Sequence, residues 1–437
     1  MQQSSFLPDK SCPRTDRIII VGAGVFGLAT ALELRKRGYQ QVFVLDRHMP
    51  PVPDGSSVDI SRVIRVDYAD PFYAKLGLEA LQMWRQKYDD YFNECEFALL
   101  TESIDDPRVV RTKQALRLLG QTVHTFRGGD EFKARYPLFD GDLPQHINGY
   151  SNKVCGWVNA KHVIQEVVSE CTKAGISFIT GKRGMVMSLL QEEKKLVGIK
   201  LASGETLTCA RLILATGSWT NHLLDLHGAV VSTCHPVASI QLSKDEAAKL
   251  AKQPVTCNLT SGVFVFPPTS DNILKVARHD YGYETTLAAE SRVHIRAWSS
   301  TSAPRLFRQS FKPQFIPDEA DAALRAGLTL LLPQFKDHPW INRKLCWYSD
   351  TPDGDFIIDH HPDIAGLFFA TGDSGHGFKF LPIIGQYVVD ILEHRAPSIH
   401  RARWAYKPTG RPMCSGMNGS RGGPPRRVLT SLEQAKL

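Results

Sequence analysis

A glycine-rich turn between an apolar run and an amphipathic stretch is the feature that most constrains the fold of this chain. Residues 17–21 (RIIIV) are apolar and rich in β-branched side chains, as in a buried strand, and GAGVFG follows at 22–27. Residues 28–37 have helical spacing and are followed by Gly38, a residue suited to a helix C-terminus. A second strand is predicted at 41–45. The pattern predicts the β-α-β opening of a doubly wound α/β fold.

The spacing of the glycines indicates a dinucleotide site. Gly22, Gly24 and Gly27 allow a tight turn and let the backbone approach a pyrophosphate at the N-terminus of the helix. Asp46 follows nineteen residues after Gly27 and is placed to bind a ribose hydroxyl, which disfavours NADP. This pattern does not separate FAD from NAD, and the alternative is a glycine turn without a ligand. The predicted cofactor site also includes three neighbours of these residues, Val25, Phe26 and Arg47.

Length and composition exclude several classes of protein. The chain has 437 residues, 43% apolar and 22% charged, so two or three globular domains are expected. It has no apolar run of about 18 residues that could span a membrane, and its polar N-terminus lacks the apolar region of a secretory signal. Nine cysteines without a CxxC pair argue against a disulfide framework or a zinc site and fit a reducing compartment. No metal is predicted.

The net charge of +7 is concentrated near the C-terminus. Residues 401–437 contain eight lysines and arginines against one acid, Glu433, so the rest of the chain is neutral. A neutral body offers no electrostatic footprint for nucleic acid. Beyond Pro397 the sequence is rich in Gly, Pro and Arg, and we expect an extended, solvated tail.

Two later blocks contain side chains that are common in active sites. Residues 343–362 (RKLCWYSDTPDGDFIIDHHP) include Cys346, and residues 372–382 (GDSGHGFKFLP) include His376 and Lys379. A glycine-rich turn with a histidine and a lysine ahead of a helix suits an anion or an electron-rich ring. Taken singly, a cysteine is most often a small buried hydrophobe and a lysine is most often solvated.

Several blocks, in the same order, resemble the flavin-dependent amine oxidases of the monomeric sarcosine oxidase type. Within that group the chain is similar to the fungal fructosyl-amino-acid oxidases (amadoriases) and to the pipecolate and saccharopine oxidases. The similar blocks lie between residue 17 and about residue 393; besides the two blocks above they are GAGVFG (22–27), GSSVDISRVIR (55–65), GWVNA (156–160), FVFPP (264–268) and ILKVARH (273–279).

The resemblance implies FAD as the cofactor and assigns residues to it. Cys346 corresponds to the cysteine that joins the flavin 8α-methyl group covalently. The other correspondences place Ser56, Ser57 and Arg62 along the flavin, Gly377 and Phe378 at its ring edge with Lys379 beside them, and the backbone of Val186 at the adenine end.

The resemblance also assigns catalytic roles. Lys275 corresponds to the lysine that lies near flavin N5, through a water, and assists the reduction of oxygen. Arg65 and Lys379 correspond to the pair that holds the substrate carboxylate, which agrees with the ability of two cations to orient a carboxylate. His279 and His376 correspond to active-site histidines.

The implied fold is α/β, with a GxGxxG Rossmann-like FAD-binding domain and an inserted substrate domain of mixed sheet and helices. We expect the FAD-binding domain at 1–90, 151–222 and 331–437, and the substrate-binding domain at 91–150 and 223–330.

The implied activity is oxidation of the C–N bond of an amino-acid-derived secondary amine to an imine, with O2 reduced to hydrogen peroxide. A fructosyl amino acid or saccharopine is favoured as substrate, and L-pipecolate, sarcosine or another N-methyl amino acid, including a biosynthetic intermediate, stays open. The alternative classes are an NAD-dependent dehydrogenase and a flavin-binding protein without turnover.

The last three residues, Ala435, Lys436 and Leu437, resemble a peroxisomal address of the SKL type. They predict binding to the peroxisomal import receptor and a peroxisomal location, with the cytoplasm as the alternative. A monomer is expected, because nothing in the pattern marks an interface.

Overall fold

The computed structural model describes residues 13–286, 302–306, 315–408 and 421–437. The strands are β1 Arg17–Val21, β2 Gln41–Leu45, β3 Arg62–Arg65, β4 Phe92–Glu94, β5 Phe97–Thr101, β6 His124–Arg127, β7 Asn148–Asn152, β8 Cys155–Val158, β9 Ser177–Ile179, β10 Val186–Glu192, β11 Lys195–Leu201, β12 Thr206–Thr208, β13 Arg211–Leu214, β14 Val231–Gln241, β15 Val255–Asn258, β16 Val263–Val265, β17 Ile273–Arg278, β18 Tyr283–Glu284, β19 Trp340–Asp350, β20 Ile357–His360, β21 Leu367–Thr371 and β22 Arg427–Val428.

Helices connect these strands. The α-helices are α1 Val25–Lys36, α2 Pro71–Lys87, α3 Pro107–Leu118, α4 Gly129–Arg135, α5 Ala160–Lys173, α6 Lys244–Leu250, α7 Asp318–Leu331, α8 Leu381–Leu392, α9 Ser398–Arg403 and α10 Ser431–Gln434. Short 3-10 turns lie at Asp89–Tyr91, Gly181–Arg183, Gly217–His222, Pro333–Phe335 and Gly377–Phe380. None of the helices in the described ranges is long and apolar enough to cross a membrane.

A six-stranded sheet carries the glycine-rich turn. Its order is β20-β21-β13-β1-β2-β9, and all neighbours are parallel except β20 and β21. Successive residues of β1 face opposite sides, as strand geometry requires. Ile18 and Ile20 pack with α1, α5 and α8 in one core, whereas Ile19 and Val21 pack under the three-stranded sheet β10-β11-β12 in another. The expected α/β fold is confirmed.

A larger mixed sheet lies next to it. Its order is β22-β18-β14-β17-β16-β15-β5-β7-β6, and β19 pairs antiparallel with β14 along most of its length. Helix α7 contributes to the core of this sheet through Leu324 and Leu328. Strands β19 and β22 belong to this sheet, although they lie in the range that the sequence assigned to the FAD-binding domain; the division into two domains stays a prediction.

A small sheet, β3-β8-β4, contains most of the SRVIR block, in β3. Strand β3 pairs antiparallel with β8, with Arg62 opposite Val158 and Arg65 opposite Cys155. Arg62 and Arg65 are three residues apart, so their side chains leave β3 on opposite faces of the strand. Helix α2 follows β3 in the chain, and the Asp70 carboxylate caps its N-terminus by accepting from the N–H of Phe72.

The expectation of an extended, solvated tail is wrong for the described residues beyond Pro397. Residues 398–403 form α9, and residues 421–437 pack against the body of the protein. Arg421 donates both terminal nitrogens to the carboxylate of Asp350, and Arg426 lies 3.1 Å from the same group. The carboxylate of Asp350 is buried and requires opposite charges, which the sequence of the tail supplies.

Candidate active site

The glycine-rich turn forms one wall of a cleft at the ends of β1, β2 and β13. Gly22 has a φ of +107°, and a Cβ atom there would lie 2.3 Å from the carbonyl oxygen of Ala215. A Cβ atom on Gly27 would lie 1.9 Å from the carbonyl oxygen of Gly22. The first and third glycines are therefore required by the turn and by the packing of α1 on β1.

Gly24 has a different reason to lack a side chain. Its φ is ordinary, and a Cβ atom would meet only the hydroxyl of Ser57, at 3.1 Å. That hydroxyl accepts a bond of 3.2 Å from the backbone N–H of Val25, at the start of α1. The N-terminus of α1 and a bare glycine therefore face the cleft together, as a pyrophosphate requires.

The cleft has a volume of about 1140 Å³ and contains most of the predicted cofactor residues. Asp46, at the end of β2, accepts a bond of 2.8 Å from the N–H of Ala23. Burial raises the pKa of Asp46, and its backbone donors oppose that shift. The residues present therefore fit a dinucleotide; the predicted ones that line the cleft are Gly22, Gly24, Val25, Phe26, Asp46, Arg47, Ser56, Ser57, Val186, Gly377 and Phe378.

A second cavity of about 850 Å³ continues from this cleft. Ser56, Asp373 and Phe378 line both spaces. The second cavity brings together all five residues that the resemblance assigned to catalysis, Arg65, Lys275, His279, His376 and Lys379. Among the residues assigned to the flavin, Ser56, Arg62, Cys346 and Phe378 also line it.

Arg65 and Lys379 are buried cations that face this cavity. Arg65 is 4% exposed and Lys379 is 5% exposed. Arg65 donates to the carbonyl of Asp67, and its guanidinium lies over the ring of Phe97. Within the described ranges, no carboxylate lies at ion-pair distance from either side chain. Buried charges are normally paired, so this arrangement suits a ligand with a negative charge.

A chain of hydrogen bonds holds the head of Lys379. Its Nζ donates to the hydroxyl of Tyr68 at 2.7 Å, and that hydroxyl lies 3.0 Å from Nδ1 of His376. Nε2 of His376 donates to the carbonyl of Gly354 at 2.9 Å, which leaves Nδ1 to accept from Tyr68. Burial, together with the charge of Lys379, holds the pKa of His376 well below its ordinary value. Neutral His376 therefore orients Tyr68, and Tyr68 orients Lys379.

The charge of Lys379 depends on what enters the cavity. Burial, with the nearby charge of Arg65, holds the pKa of Lys379 well below its ordinary value, and Asp67 only partly opposes this. A carboxylate beside Nζ would favour the protonated form.

Cys346 and Lys275 are connected through Asp59 and Arg62. Lys275 donates to Asp59 at 2.7 Å and to the carbonyl of Ser61 at 2.7 Å. Arg62 binds the same carboxylate at 2.6 Å and donates to Sγ of Cys346 at 3.1 Å. Burial lowers the pKa of Lys275 to about 8, although the charge of Asp59 opposes the shift.

His279 lies at another side of the cavity, with Tyr348. Nδ1 of His279 is 3.3 Å from the hydroxyl of Tyr348, whose ring stacks on His235 with centroids 4.0 Å apart. His235 is buried and lies 3.0 Å from Asp280. Burial and the charge of Arg421 hold the pKa of His279 well below its ordinary value, so its ring is neutral.

Three residues of this site, Asp59, Tyr68 and Tyr348, were not predicted. Tyr348 could have been found, because it lies two residues after Cys346 in a strand and therefore on the same face. Asp59 and Tyr68 carry no such signal, since their partners are distant in the chain. No group of three or more metal-ligating side chains occurs in the part of the chain that the structure describes.

The fold and the site define a class: a dinucleotide-binding oxidoreductase in which a cofactor cleft opens into a cavity with buried cations. The family model described as FAD dependent oxidoreductase matches residues 17–391. The chain belongs to this family, so it is an FAD-dependent oxidoreductase. The glycine pattern had left FAD and NAD open, and the family decides for FAD.

Similar proteins are found among curated sequences and solved structures. The L-saccharopine oxidase of Schizosaccharomyces pombe is 30% identical over 394 residues, which cover 85% of this chain and 88% of that protein. The amino acid oxidase fsqB of Aspergillus fumigatus is 30% identical over an alignment that covers 87% of this chain and 93% of that protein. The structure of fructosyl peptide oxidase from E. terrenum superposes with a TM-score of 0.84 at 27% identity, covering 95% of this chain and 97% of that chain.

Proposed function

We propose that this enzyme oxidises the C–N bond of an amino-acid-derived secondary amine to an imine, with O2 reduced to hydrogen peroxide. The observation that carries the proposal is the pair Arg65 and Lys379, two buried cations that face the cavity beside the cofactor cleft. A substrate carboxylate supplies the partner at ion-pair distance that neither side chain has among the described residues. The names of the relatives, which include saccharopine and sarcosine oxidases, support the same chemistry.

The chain's own residues bind and orient the substrate. Arg65 binds the carboxylate through its fork of N–H groups, and Lys379 binds it through Nζ, whose position is set by Tyr68. The amine then lies between this pair and the cofactor cleft, with its α-hydrogen turned toward the cleft. Phe264 and Phe266 line the cavity and exclude water from the reacting bond.

When bound, FAD accepts the hydride equivalent and passes the electrons to O2. We infer that Cys346 is the residue that attaches the flavin covalently. Cys346 lines the second cavity, which shares Ser56 and Phe378 with the cofactor cleft, and Arg62 donates to its sulfur at 3.1 Å.

Lys275 is the residue that we assign to the oxygen reaction. It lines the cavity, is 1% exposed, and has a pKa of about 8. It therefore holds a proton at Nζ near neutral pH and stabilises the negative charge that develops on oxygen. Neutral His279 and His376 shape the cavity and hold Tyr348 and Tyr68.

An absorption spectrum before and after acid precipitation tests the flavin attachment. We expect the yellow colour to stay with the precipitated protein, and Cys346→Ala to release it to the supernatant. Cys209→Ala, a buried cysteine outside both cavities, is the matched control and should keep the colour. Release of the colour from the wild-type protein would overturn the role of Cys346, but FAD would still be the cofactor, bound without a covalent bond.

A panel of secondary amines tests the reaction and the substrate. We propose saccharopine or a fructosyl amino acid as the first candidates, because a relative is named for saccharopine and structural neighbours are named for fructosyl amines and peptides. L-pipecolate, sarcosine and N-methyl amino acids follow, and the last includes intermediates of biosynthesis. Production of hydrogen peroxide with one of them, and not with its carboxylate ester, supports the proposal. A flavin-loaded protein that gives no peroxide with any of them contradicts it.

We propose a peroxisomal location through the C-terminal Ala435-Lys436-Leu437, with the cytoplasm as the alternative. Relatives named peroxisomal sarcosine oxidase, at 24% identity, support it. A fluorescent protein fused to the N-terminus should co-localise with a peroxisomal marker, and removal of the last three residues should disperse it. We also propose a monomer, which light scattering tests directly.

A further inference from the structure

A short segment, residues 302–306, lies beside the cofactor cleft and contributes Leu306 to its lining; it is called the strap here. Three successive carbonyl groups of the strap accept bonds from three side chains that line the cleft. Nε2 of His222 lies 2.7 Å from the carbonyl of Pro304, Nε1 of Trp219 donates to Arg305 at 3.3 Å, and Arg47 donates to Leu306 at 2.9 Å.

The strap is itself part of the cleft wall. Leu306 lines the cleft beside Arg47, Trp219 and His222. The guanidinium of Arg47 lies 4.8 Å from the ring centre of Trp219 and pairs with Asp54 at 3.0 Å. Leu306 of the strap, Arg47 and Trp219 therefore form one connected part of the cleft wall.

The strap is held from the other side by the C-terminal helix α10. Nη2 of Arg305 donates to the backbone carbonyl of Gln434 at 2.8 Å. The Gln434 side chain is buried; its Oε1 accepts from the N–H of Thr286 at 3.0 Å and its Nε2 donates to Leu429 at 2.7 Å. Thr285 accepts from and donates to the strap backbone at Ala303.

Helix α10 has only four residues and depends on these contacts, because a single turn is not stable alone in water. It begins with a capping box formed by Thr430 and Glu433. Glu433 also pairs with Arg427 at 2.7 Å, on a strand that pairs in parallel with β18. The last residues of the chain therefore form one local unit, whose contacts can be released without unfolding the sheets.

We propose that α10 acts as a latch, holding the strap over the cofactor cleft through Arg305, so that retention of FAD depends on the docked C-terminus. Arg305 connects the two directly: its carbonyl binds Trp219 in the cleft wall and its guanidinium binds α10. Arg305 and Gln434 are positioning residues for the cofactor. This inference rests on FAD as the cofactor and does not depend on the proposed substrate.

The test compares Arg305→Ala and a chain that ends at Thr430 with the matched control Leu432→Ala, which alters an 80% exposed side chain of α10. Hydrogen exchange of the peptide that covers 302–306 is measured in the FAD-loaded protein. We expect faster exchange in the first two variants and no change in the control. FAD release is then measured in a Cys346→Ala background.

In that background we expect release to be about tenfold faster in Arg305→Ala and in the shortened chain, the factor for a charge-assisted bond of about 1.4 kcal/mol. The doubly changed protein should release FAD no faster than the more affected single variant, since both changes open the same latch. The proposal is overturned if hydrogen exchange of 302–306 and FAD release in both Arg305→Ala and the shortened chain equal those of Leu432→Ala. If the shortened chain does not fold, Arg305→Ala decides alone.

A failure of the covalent attachment is distinguishable from a failure of the latch. Flavin that stays attached in Cys346→Ala contradicts the proposed role of Cys346. The exchange measurement on the FAD-loaded protein decides the latch in that case also.

Discussion

The ammonium of Lys275 and the carboxylate of Asp59 lie 2.7 Å apart, and each side chain is 2% exposed. Arg62 binds the same carboxylate at 2.6 Å and Lys344 approaches it to 3.8 Å. Burial alone would raise the pKa of Asp59, but these three cations hold it well below its ordinary value. Asp59 in turn keeps the pKa of Lys275 from falling below about 8. The oxygen reaction proposed for Lys275 therefore depends on Asp59, whose carboxylate binds the same Nζ.

Replacement of Asp59 by Asn should move the pH dependence of flavin reoxidation. In the wild-type protein the rate should fall as the pH rises through about 8, where Lys275 loses its proton. Asp59→Asn removes the charge that opposes burial, so the midpoint should move down by at least about one pH unit. Stopped-flow reoxidation of the reduced flavin measures this. Lys275→Met is the control and should be slow and independent of pH, and an unmoved midpoint in Asp59→Asn would contradict the coupling.

Replacement of Arg65 by Gln should act on the substrate carboxylate. Loss of a bidentate charge-assisted contact should lower kcat/KM by about 100-fold, or about 3 kcal/mol. The methyl ester of the same substrate, which lacks the charge, should lose much less. Steady-state peroxide production with both compounds measures the difference. Arg65→Lys should keep part of the activity. If kcat/KM falls equally for the acid and the ester, Arg65 does not bind the substrate carboxylate.

Gly24→Ala should separate cofactor binding from folding. Because Gly24 has an ordinary φ and a Cβ atom would meet only a side-chain hydroxyl, we expect the FAD-free protein to lose no more than about 1 kcal/mol of stability. The added methyl group faces the predicted pyrophosphate, so FAD affinity should fall at least about tenfold. Thermal unfolding with and without FAD measures both effects. Gly22→Ala is the contrasting variant: its φ of +107° and its 2.3 Å approach to Ala215 should prevent folding.

The ion pair between Arg421 and Asp350 should stabilise the protein above acidic pH. Burial would raise the pKa of Asp350, but Arg421 and Arg426 hold it well below its ordinary value. A depressed carboxyl pKa contributes stability above the unfolded pKa of about 3.9, and the contribution is lost as the pH falls through the folded pKa. Arg421→Met should therefore cost about 3 kcal/mol near pH 7. The difference from the wild type should shrink as the pH falls toward about 3, where the variant's Asp350 takes up a proton.

Unfolding in urea at several pH values measures this loss. Addition of Asp350→Asn to Arg421→Met should recover most of the stability, since no buried charge then lacks its partner. Arg401→Met, a change at an exposed arginine of α9, is the control. A cost that is the same at pH 7 and at pH about 3 would show that packing, and not charge, explains the loss.

The local elements of the cofactor cleft could be predicted because their causes are contiguous in the chain. A buried strand, three spaced glycines, a helix and Asp46 lie within 30 residues, from Arg17 to Asp46, and their chemistry is that of the backbone. Turn geometry and helix packing require Gly22 and Gly27 wherever this pattern folds. The resemblance blocks also assigned five residues to catalysis, and all five line the second cavity, while their roles stay predictions.

The tertiary structure alone decided the partners of the buried charges. Lys275 and Asp59 are separated by 216 positions in the chain, and Arg421 and Asp350 by 71. Neither sequence spacing nor periodicity connects such residues, because ion pairing depends on which strands meet and on how deeply water is excluded. For the same reason the basic tail, expected to be solvated, instead supplies counter-charges and a helix to the body. The backbone chemistry of the cleft was thus determined locally by the sequence, and the electrostatics of the cavity by packing between distant segments.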